Sequence, residues 1–277
     1  RYNRELCDKK QCLSCTLSYR RPPQWWRYGN LLERKAREID LFISKSEFSR
    51  NKHQEFGFPE QMRTVPYFLP DVELATETPD RDRPYFLFVG RLEKIKGLQD
   101  VIPLFQEDIG ADLVILGDGE YRAALEDQAN GSPYIQFMGR ISPDELARWY
   151  KGAISLIVPS ACYETFGIIL IESFRTGTPV IARRLGPFPE IVEKAKGGIL
   201  FETEDELRAA MAKFRDDPDF REKSAKSARQ AFQSYWTEEA VLKDYGDKLA
   251  AAAATSGRTD LAQRLMNGAV LGKEKSA

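Results

Sequence analysis

From residue 84 onward the chain repeats one unit: an apolar run of strand length, a turn, then a stretch whose apolar positions recur at helical spacing. Runs at 85–89, 112–116, 134–138, 155–158, 179–182 and 199–201 predict six strands. Between the first two, Leu98, Val101, Ile102 and Phe105 share one helix face and predict a helix there. Ser142-Pro143-Asp144-Glu145 predicts another helix start, with a capping hydroxyl, proline at the first position and acids in the first turn. Strands alternating with helices predict an α/β fold with a six-stranded parallel sheet, doubly wound, whose ligands bind beyond the strand C-termini.

Before residue 84 the pattern is shorter. It predicts a helix at 31–38, a strand at 41–44, a helix at 47–56 and a strand at 64–68, half of a second α/β domain. The expected organisation is a domain remnant at 1–70, a linker rich in proline and acids at 71–83, a complete ligand-binding domain at 84–254 closed by helices from 204 onward, and a fraying tail at 255–277. A two-stranded remnant needs further strands to be stable. Arg1 follows no methionine, and no signal-peptide pattern opens the chain, so it reads as truncated at its front.

Composition narrows the class. Of 277 residues, 42% are hydrophobic and 30% charged, the balance of a soluble globular chain, and no apolar run reaches the roughly 20 residues of a spanning helix. The formal net charge of -1 gives no global field for nucleic acid, and none is expected as a partner. Residues 1–37 are locally basic, with ten Lys and Arg against three Asp and Glu. Within them the 19–28 segment sets Arg20, Arg21 and Arg27 among Tyr19, Trp25, Trp26 and Tyr28. It is a candidate for peripheral contact with an anionic membrane face or a glycan, or else a proline-led loop whose rings pack on the protein. Cys7, Cys12 and Cys15 could supply part of a zinc site with a fourth ligand elsewhere; the alternative is reduced cysteines in a cytoplasmic protein.

The chemistry concentrates in loops after the strands. Gly90-Arg91-Leu92-Glu93-Lys94-Ile95-Lys96-Gly97 follows the first strand. Arg91 can offer a planar pair of donors, Lys96 a point charge, and the expected helix its free amides, a set suited to a diphosphate. A solvated charged loop is the plain alternative. Gly117 and Gly119, after the second strand, allow close backbone approach to a ligand, and Arg140 with Ile141, after the third, could present backbone groups to a nucleobase.

The strongest loop is Glu164-Thr165-Phe166-Gly167-Ile168-Ile169-Leu170-Ile171-Glu172, two carboxylates flanking an apolar helix. Glu172 then lies in a dry surround, where an ionised carboxylate costs several kcal/mol unless hydrogen-bonded. Ribose hydroxyls would serve, while Glu164 beside Gly167 would meet phosphate or sugar oxygens at the helix start. The alternative is a capping acid and a structural pair with Arg175 or Arg183. A nicotinamide-dependent dehydrogenase fits poorly, since Gly90-Arg91-Leu92 stands where G-x-G-x-x-G would be needed.

In order, VGRLEKIKG, ILGDGEY, FMGRISPDEL, ETFGIILIE and GTPVIA resemble the motifs of the family 4 retaining glycosyltransferases, over about residues 46–249. The resemblance implies the GT-B architecture of two Rossmann-like domains and transfer of a hexose, with retention, from a nucleotide-diphosphosugar to a glycan, lipid-linked or small-molecule acceptor. It implies that Arg91 and Lys96 bind the diphosphate, that Arg140 and Ile141 flank the base, that Glu172 binds ribose, and that Glu164 with residues 166–169 contacts phosphates and sugar. Gly90, Gly117, Gly119 and Thr165 complete the expected donor site; Glu164, Arg91 and Lys96 are the expected catalytic groups. No metal or cofactor is expected, and the setting is cytoplasmic, with peripheral attachment at the inner membrane face as the variant. Two departures stand out: Gly186-Pro187-Phe188-Pro189-Glu190 replaces a double glycine on the sugar side, and most of the family's front domain, with its acceptor site and often a histidine near the reacting carbon, is missing, so the catalytic site is expected to be incomplete. His53, the single histidine, reads as a surface residue of the 47–56 helix rather than a catalytic group. A non-catalytic nucleotide-sugar binder is the rival reading.

Overall fold

The computed structural model describes residues 12–25, 29, 31–58, 61–71 and 77–266. They form two compact units, one of the described residues up to Tyr67 with those from Glu238 onward, the other of the described residues from Phe68 to Thr237. In the first, α1 (Cys12–Ser18) and α2 (Leu31–Ala36) precede β1 (Phe42–Ser44), α3 (Glu47–Glu55) and β2 (Met62–Thr64). β1 and β2 pair in parallel across α3. Ser46 caps α3, accepting from the Ser49 amide at 3.1 Å. The second strand lies earlier than the expected 64–68. Val65 donates to the Ser44 carbonyl at 2.8 Å, and Pro66 has no N–H with which to continue the ladder.

The end of the chain departs most from expectation. α10 (Glu238–Thr255) and α11 (Thr259–Met266) belong to the first unit, so 238–254 does not close the ligand-binding domain. Lys248 of α10 donates to the Thr64 carbonyl of β2 at 2.7 Å, and Ser256 donates to Asp40 at 2.6 Å. The expected tail contains a helix because Ala262 and Leu265 of α11 are buried with Ala250 and Ala253 of α10.

The second unit carries β3 (Tyr85–Val89), β4 (Asp112–Leu116), β5 (Ile135–Gly139), β6 (Ser155–Val158), β7 (Val180–Arg183) and β8 (Gly198–Phe201) in the order β5-β4-β3-β6-β7-β8. All pairs are parallel. α4 (Arg122–Ala129), α5 (Pro143–Gly152), α6 (Ile168–Arg175), α7 (Phe188–Ala195), α8 (Glu204–Asp216) and α9 (Pro218–Tyr235) cover it. Strand residues alternate between two cores. Phe86, Phe88, Leu113, Ile115 and Ile157 pack with α4 and α8, while Tyr85, Leu87, Val114, Leu116, Leu156 and Val158 pack with α5, α6, α7 and α9. Burial on both faces is why these strands read as continuous apolar runs.

Where a helix was expected after β3, three short 3-10 turns run over 94–96, 98–100 and 102–105. Leu98, Val101, Ile102 and Phe105 are all buried as the spacing required. Pro103 prevents the α-helix, because it lacks a donor and its ring would strike the carbonyl one turn back. The linker expected at 71–83 is anchored on both sides of 72–76. Asp71 pairs with Arg229 at 2.8 Å, and Arg81 and Arg83 reach the buried Asp112 at 2.7 and 2.9 Å.

Candidate functional site

The strand order reverses between β3 and β6, which follow one another in the sheet but not in the chain. Loops leaving such a pair diverge and open a crevice at the strand C-termini. Lys96 leaves β3 and Glu164 leaves β6. Their side chains meet across this point, Lys96 Nζ to Glu164 Oε1 at 2.5 Å, with about a quarter of each exposed (22% and 27%).

The surrounding backbone holds the two loops together. Ala161 donates to the Ile95 carbonyl at 2.8 Å. Gly97 has φ +74°, and a Cβ there would lie 2.0 Å from the Pro159 carbonyl oxygen, so only glycine lets the loops approach this closely. Arg183 donates to the same Pro159 carbonyl at 3.0 Å and pairs with Asp100 at 2.6 Å. It therefore ties the β3, β6 and β7 ends to one another and is not the partner of Glu172.

Gly117 and Gly119 have a different use from that expected. Cβ atoms there would stand 1.9 Å from the Gly90 carbonyl oxygen and 2.4 Å from that of Leu92. The close approach these glycines permit is by the neighbouring loop, locked by Leu92 N–H to Asp118 O at 3.0 Å and Gly90 N–H to Leu116 O at 3.0 Å. Arg91 rises from that loop with its side chain 72% exposed, and pairs with Glu93 at 2.9 Å. No α-helix starts near Gly97, so the free helix amides expected after the first loop are not there.

At α6 such amides are those of Ile168 and Ile169, since the Leu170 amide donates to the Gly167 carbonyl at 3.0 Å. Gly167 is the N-cap of α6 at φ +105°, with no side chain capping the first turn, and a Cβ there would stand 2.8 Å from the Phe188 ring. Ile168 lies exposed at this end and Ile169 is half-buried, whereas the Phe166 ring is in the core, which leaves that residue only its backbone for a ligand. Thr165 is exposed. The Gly186 turn abuts Tyr163 and Glu164, a Cβ there lying 3.5 Å from the Tyr163 ring and 3.6 Å from the Glu164 nitrogen, so the divergent sequence around it still flanks Glu164. Arg140 is exposed beyond β5, and Ile141 packs partly into the core.

Glu172 sits on α6 and accepts a hydrogen bond from Tyr150 at 2.9 Å. Burial raises its pKa, opposed by the Tyr150 hydrogen bond and by the charge of Arg175. It touches neither Arg91 nor Lys96. Of the four charged groups expected in the site, Arg91, Lys96 and Glu164 lie on loops that follow strands and Glu172 lies within α6, and only Lys96 and Glu164 are in contact. Tyr150 was not among the residues singled out from sequence. An aromatic near the end of an amphipathic helix carries no signal distinguishing it from core.

Other sequence expectations fall further away. His53 is exposed, its Nδ1 2.7 Å from the Ser49 carbonyl. Of the 19–28 segment, Tyr19 and Trp25 are exposed, at 53% and 69%, and 26–28 lie outside the described residues. So does Cys7; Cys15 is a free thiol. Among the described residues no helix is long and apolar enough to cross a membrane.

A doubly wound sheet with charged loops at its switch point and, in the other unit, a parallel β1-α3-β2 motif match the α/β fold of GT-B glycosyltransferases. The likeness to solved structures agrees. Sucrose-phosphate synthase from Thermosynechococcus elongatus matches with a TM-score of 0.71 at 22% identity, covering 87% of this chain and 66% of that one. Anabaena HepE in complex with UDP matches with a TM-score of 0.72 at 17% identity, covering 86% and 74%. Residues 73–231 match the family described as Glycosyl transferases group 1, and the chain belongs to that family. Among curated relatives, the D-inositol 3-phosphate glycosyltransferase of Acidothermus cellulolyticus is 31% identical over 239 residues, covering 75% of this chain and 51% of that protein. The sulfoquinovosyl transferase of Arabidopsis thaliana is 29% identical over 194 residues, covering 66% and 36%. The chain spans about a third to a half of the length of the curated relatives it matches, from 32% to 51%.

Proposed function

We propose that this chain is the donor-binding part of a hexosyltransferase that takes its sugar from a nucleotide-diphosphosugar and transfers it with retention. The observation carrying this reading is the Lys96–Glu164 contact at the sheet's switch point, a cation and an acid placed where this fold receives its ligand. In the proposed reaction the diphosphate accepts from Lys96 and Arg91 and from the first-turn amides of α6. Glu172 accepts from ribose hydroxyls, and Glu164, released from Lys96, accepts from the sugar. As the bond between the anomeric carbon and the diphosphate oxygen breaks, an acceptor hydroxyl oxygen bonds to that carbon on the same face and its proton passes to the departing diphosphate, on whose oxygen negative charge has grown. Fixed cations and amides hold that charge more tightly than they hold the ground state. The two cations supply this stabilisation, and the proposal includes no metal. The acceptor is a glycan, a lipid-linked molecule or a small molecule, the last in keeping with the name of the D-inositol 3-phosphate glycosyltransferase among the relatives.

The chain's share of its relatives' length favours a second reading, in which this piece binds the donor without transferring the sugar. Calorimetry with UDP, GDP and ADP, alone and sugar-linked, followed by an assay for released sugar, separates the two. Binding with slow release supports the enzyme, and binding with no release supports the module. Under either reading Lys96→Ala weakens donor binding, and in a transfer-competent protein it lowers turnover roughly a hundredfold, the scale of removing one oxyanion donor. Unchanged donor affinity in Lys96→Ala would sink the assignment of this crevice.

A further inference from the structure

Glu172 presents two oxygens in different circumstances. Oε2 accepts from the Tyr150 hydroxyl at 2.9 Å; among the described residues, Oε1 has no hydrogen-bond donor. Tyr150 is itself 2% exposed and packs in the core beneath α6. A phenol so buried is costly unless its hydroxyl is bonded, and the carboxylate answers that need.

The tyrosine is held as well as holding. The Thr178 hydroxyl donates to the Tyr150 carbonyl at 2.6 Å, and the Ser173 hydroxyl donates to the Thr178 carbonyl at 2.9 Å. The Thr176 and Thr178 hydroxyls meet at 2.9 Å. Buried hydroxyls thus lace the end of α5, the middle of α6 and the turn before β7 into one body. Arg175, whose charge also acts on Glu172, directs its own Nη1 to the Pro70 carbonyl at 3.3 Å. Tyr150 is therefore the only group that grips the Glu172 carboxylate by a hydrogen bond among the described residues.

We propose that Tyr150 is a positioning residue for nucleotide recognition: its hydroxyl fixes Glu172 Oε2, which turns Oε1 toward the ribose hydroxyls of the donor. The inference rests on the reading of Glu172 as the ribose acceptor. It adds a residue that touches no ligand and acts through the carboxylate. Losing the phenol costs the pocket twice. The carboxylate gains rotamer freedom, and it loses a donor that favours its ionised form, so burial then raises its pKa further. Burial and the neighbouring carboxylate hold the Tyr150 phenol itself well above its usual pKa, so it remains a donor throughout the working range.

The test uses the full chain with UDP, GDP and ADP and their 2′,3′-dideoxy forms, in wild type and Tyr150→Phe, titrated from acid to neutral pH. Wild type is expected to bind the ribose form of at least one nucleotide about tenfold more tightly than its dideoxy form, the scale of a hydrogen bond to a charged group. Tyr150→Phe is expected to lose most of that preference, to bind the dideoxy form within about twofold of wild type, and to lose ribose binding at a higher pH on the acid side. If wild type shows the preference and Tyr150→Phe keeps it, or loses affinity for both forms alike, the positioning role is wrong and the Glu172 reading survives. If wild type shows no preference, or binds none of the three, the Glu172 reading fails and this inference with it. Should Tyr150→Phe not fold, site-specific 3,5-difluorotyrosine at position 150 keeps the shape and strengthens the donor. The acid limb must then move to lower pH, and an unmoved limb refutes the role.

Discussion

Replacing Gly97 by alanine tests whether the crevice is built by the close approach of two loops. Gly97 has φ +74°, which costs an alanine about 1–2 kcal/mol from the left-handed backbone alone. The added Cβ would also lie 2.0 Å from the Pro159 carbonyl oxygen, a backbone atom that Arg183 holds from its other side at 3.0 Å. Neither partner is the free end of a flexible chain, so the loops must separate, at the about 1–3 kcal/mol typical of overpacking. Alanine's smaller unfolded-state entropy returns about 0.5–1 kcal/mol, leaving a net loss of about 2–4 kcal/mol. Gly131 is the control within the same unit, since it has φ +69° but nothing within 4 Å of an added Cβ. Gly131→Ala should therefore lose only about 1 kcal/mol. In urea denaturation the gap of about 2 kcal/mol separates the two midpoints by roughly 1 M. Separating the loops also strains the Ala161-to-Ile95 hydrogen bond and pulls Lys96 from Glu164, so Gly97→Ala should weaken nucleoside diphosphate binding while Gly131→Ala leaves it alone. Equal destabilisation by the two alanines would refute the close approach.

Glu164→Gln removes the carboxylate that competes with a diphosphate for Lys96, and is expected to raise affinity for free UDP about three- to tenfold in calorimetry, while lowering sugar release; lower affinity would place Glu164 on the diphosphate's side of the balance. Glu172→Gln is expected to weaken ribose nucleotides yet raise the melting temperature at neutral pH, because burial raises the Glu172 pKa in the folded state. The sign follows from that direction: the folded chain holds the Glu172 proton more tightly, so wild type loses stability as pH rises through the folded pKa. The gap between the variants in thermal melts should accordingly close as pH falls toward the ordinary carboxylate range, and a gap that widened on acidification would contradict it.

The inner strands after residue 84, β3, β4, β6 and β7, were legible because they are buried on both faces, and a strand in that position must be apolar along its length. The register of the loops was not. Gly117 and Gly119 announce close approach, but sequence cannot say whether a ligand or a carbonyl comes near; the carbonyls of Gly90 and Leu92 do. The turns at 94–105 kept the helix-like burial pattern while Pro103 removed the helix, so periodicity located the core face and misjudged the backbone. Residues 238–266 were misplaced for another reason. Their alanines bury a face without declaring which unit it faces, and contacts such as Lys248 to the Thr64 carbonyl join positions far apart in the chain. Tyr150 stayed hidden because its role lies in a hydroxyl pointing at Glu172, which helical spacing does not encode.

Both cations assigned to the diphosphate are paired within the chain, Lys96 with Glu164 and Arg91 with Glu93. A diphosphate entering the crevice therefore does not meet a bare positive site. It must displace carboxylates, and each displaced acid then needs another donor or water. In the proposed reaction the intact nucleotide-sugar meets this demand, because its phosphates take Lys96 while its sugar hydroxyls bond to the released Glu164. Free nucleoside diphosphate takes the cation and leaves the acid without that compensation. Under the proposed reaction the pairing would favour donor over product at one site without any contact unique to the base, and would ease departure of the diphosphate once the sugar is gone. For the same reason Lys96 and Glu164 act as one exchangeable pair, so the effects of Lys96→Ala and Glu164→Gln on nucleotide affinity should not be additive.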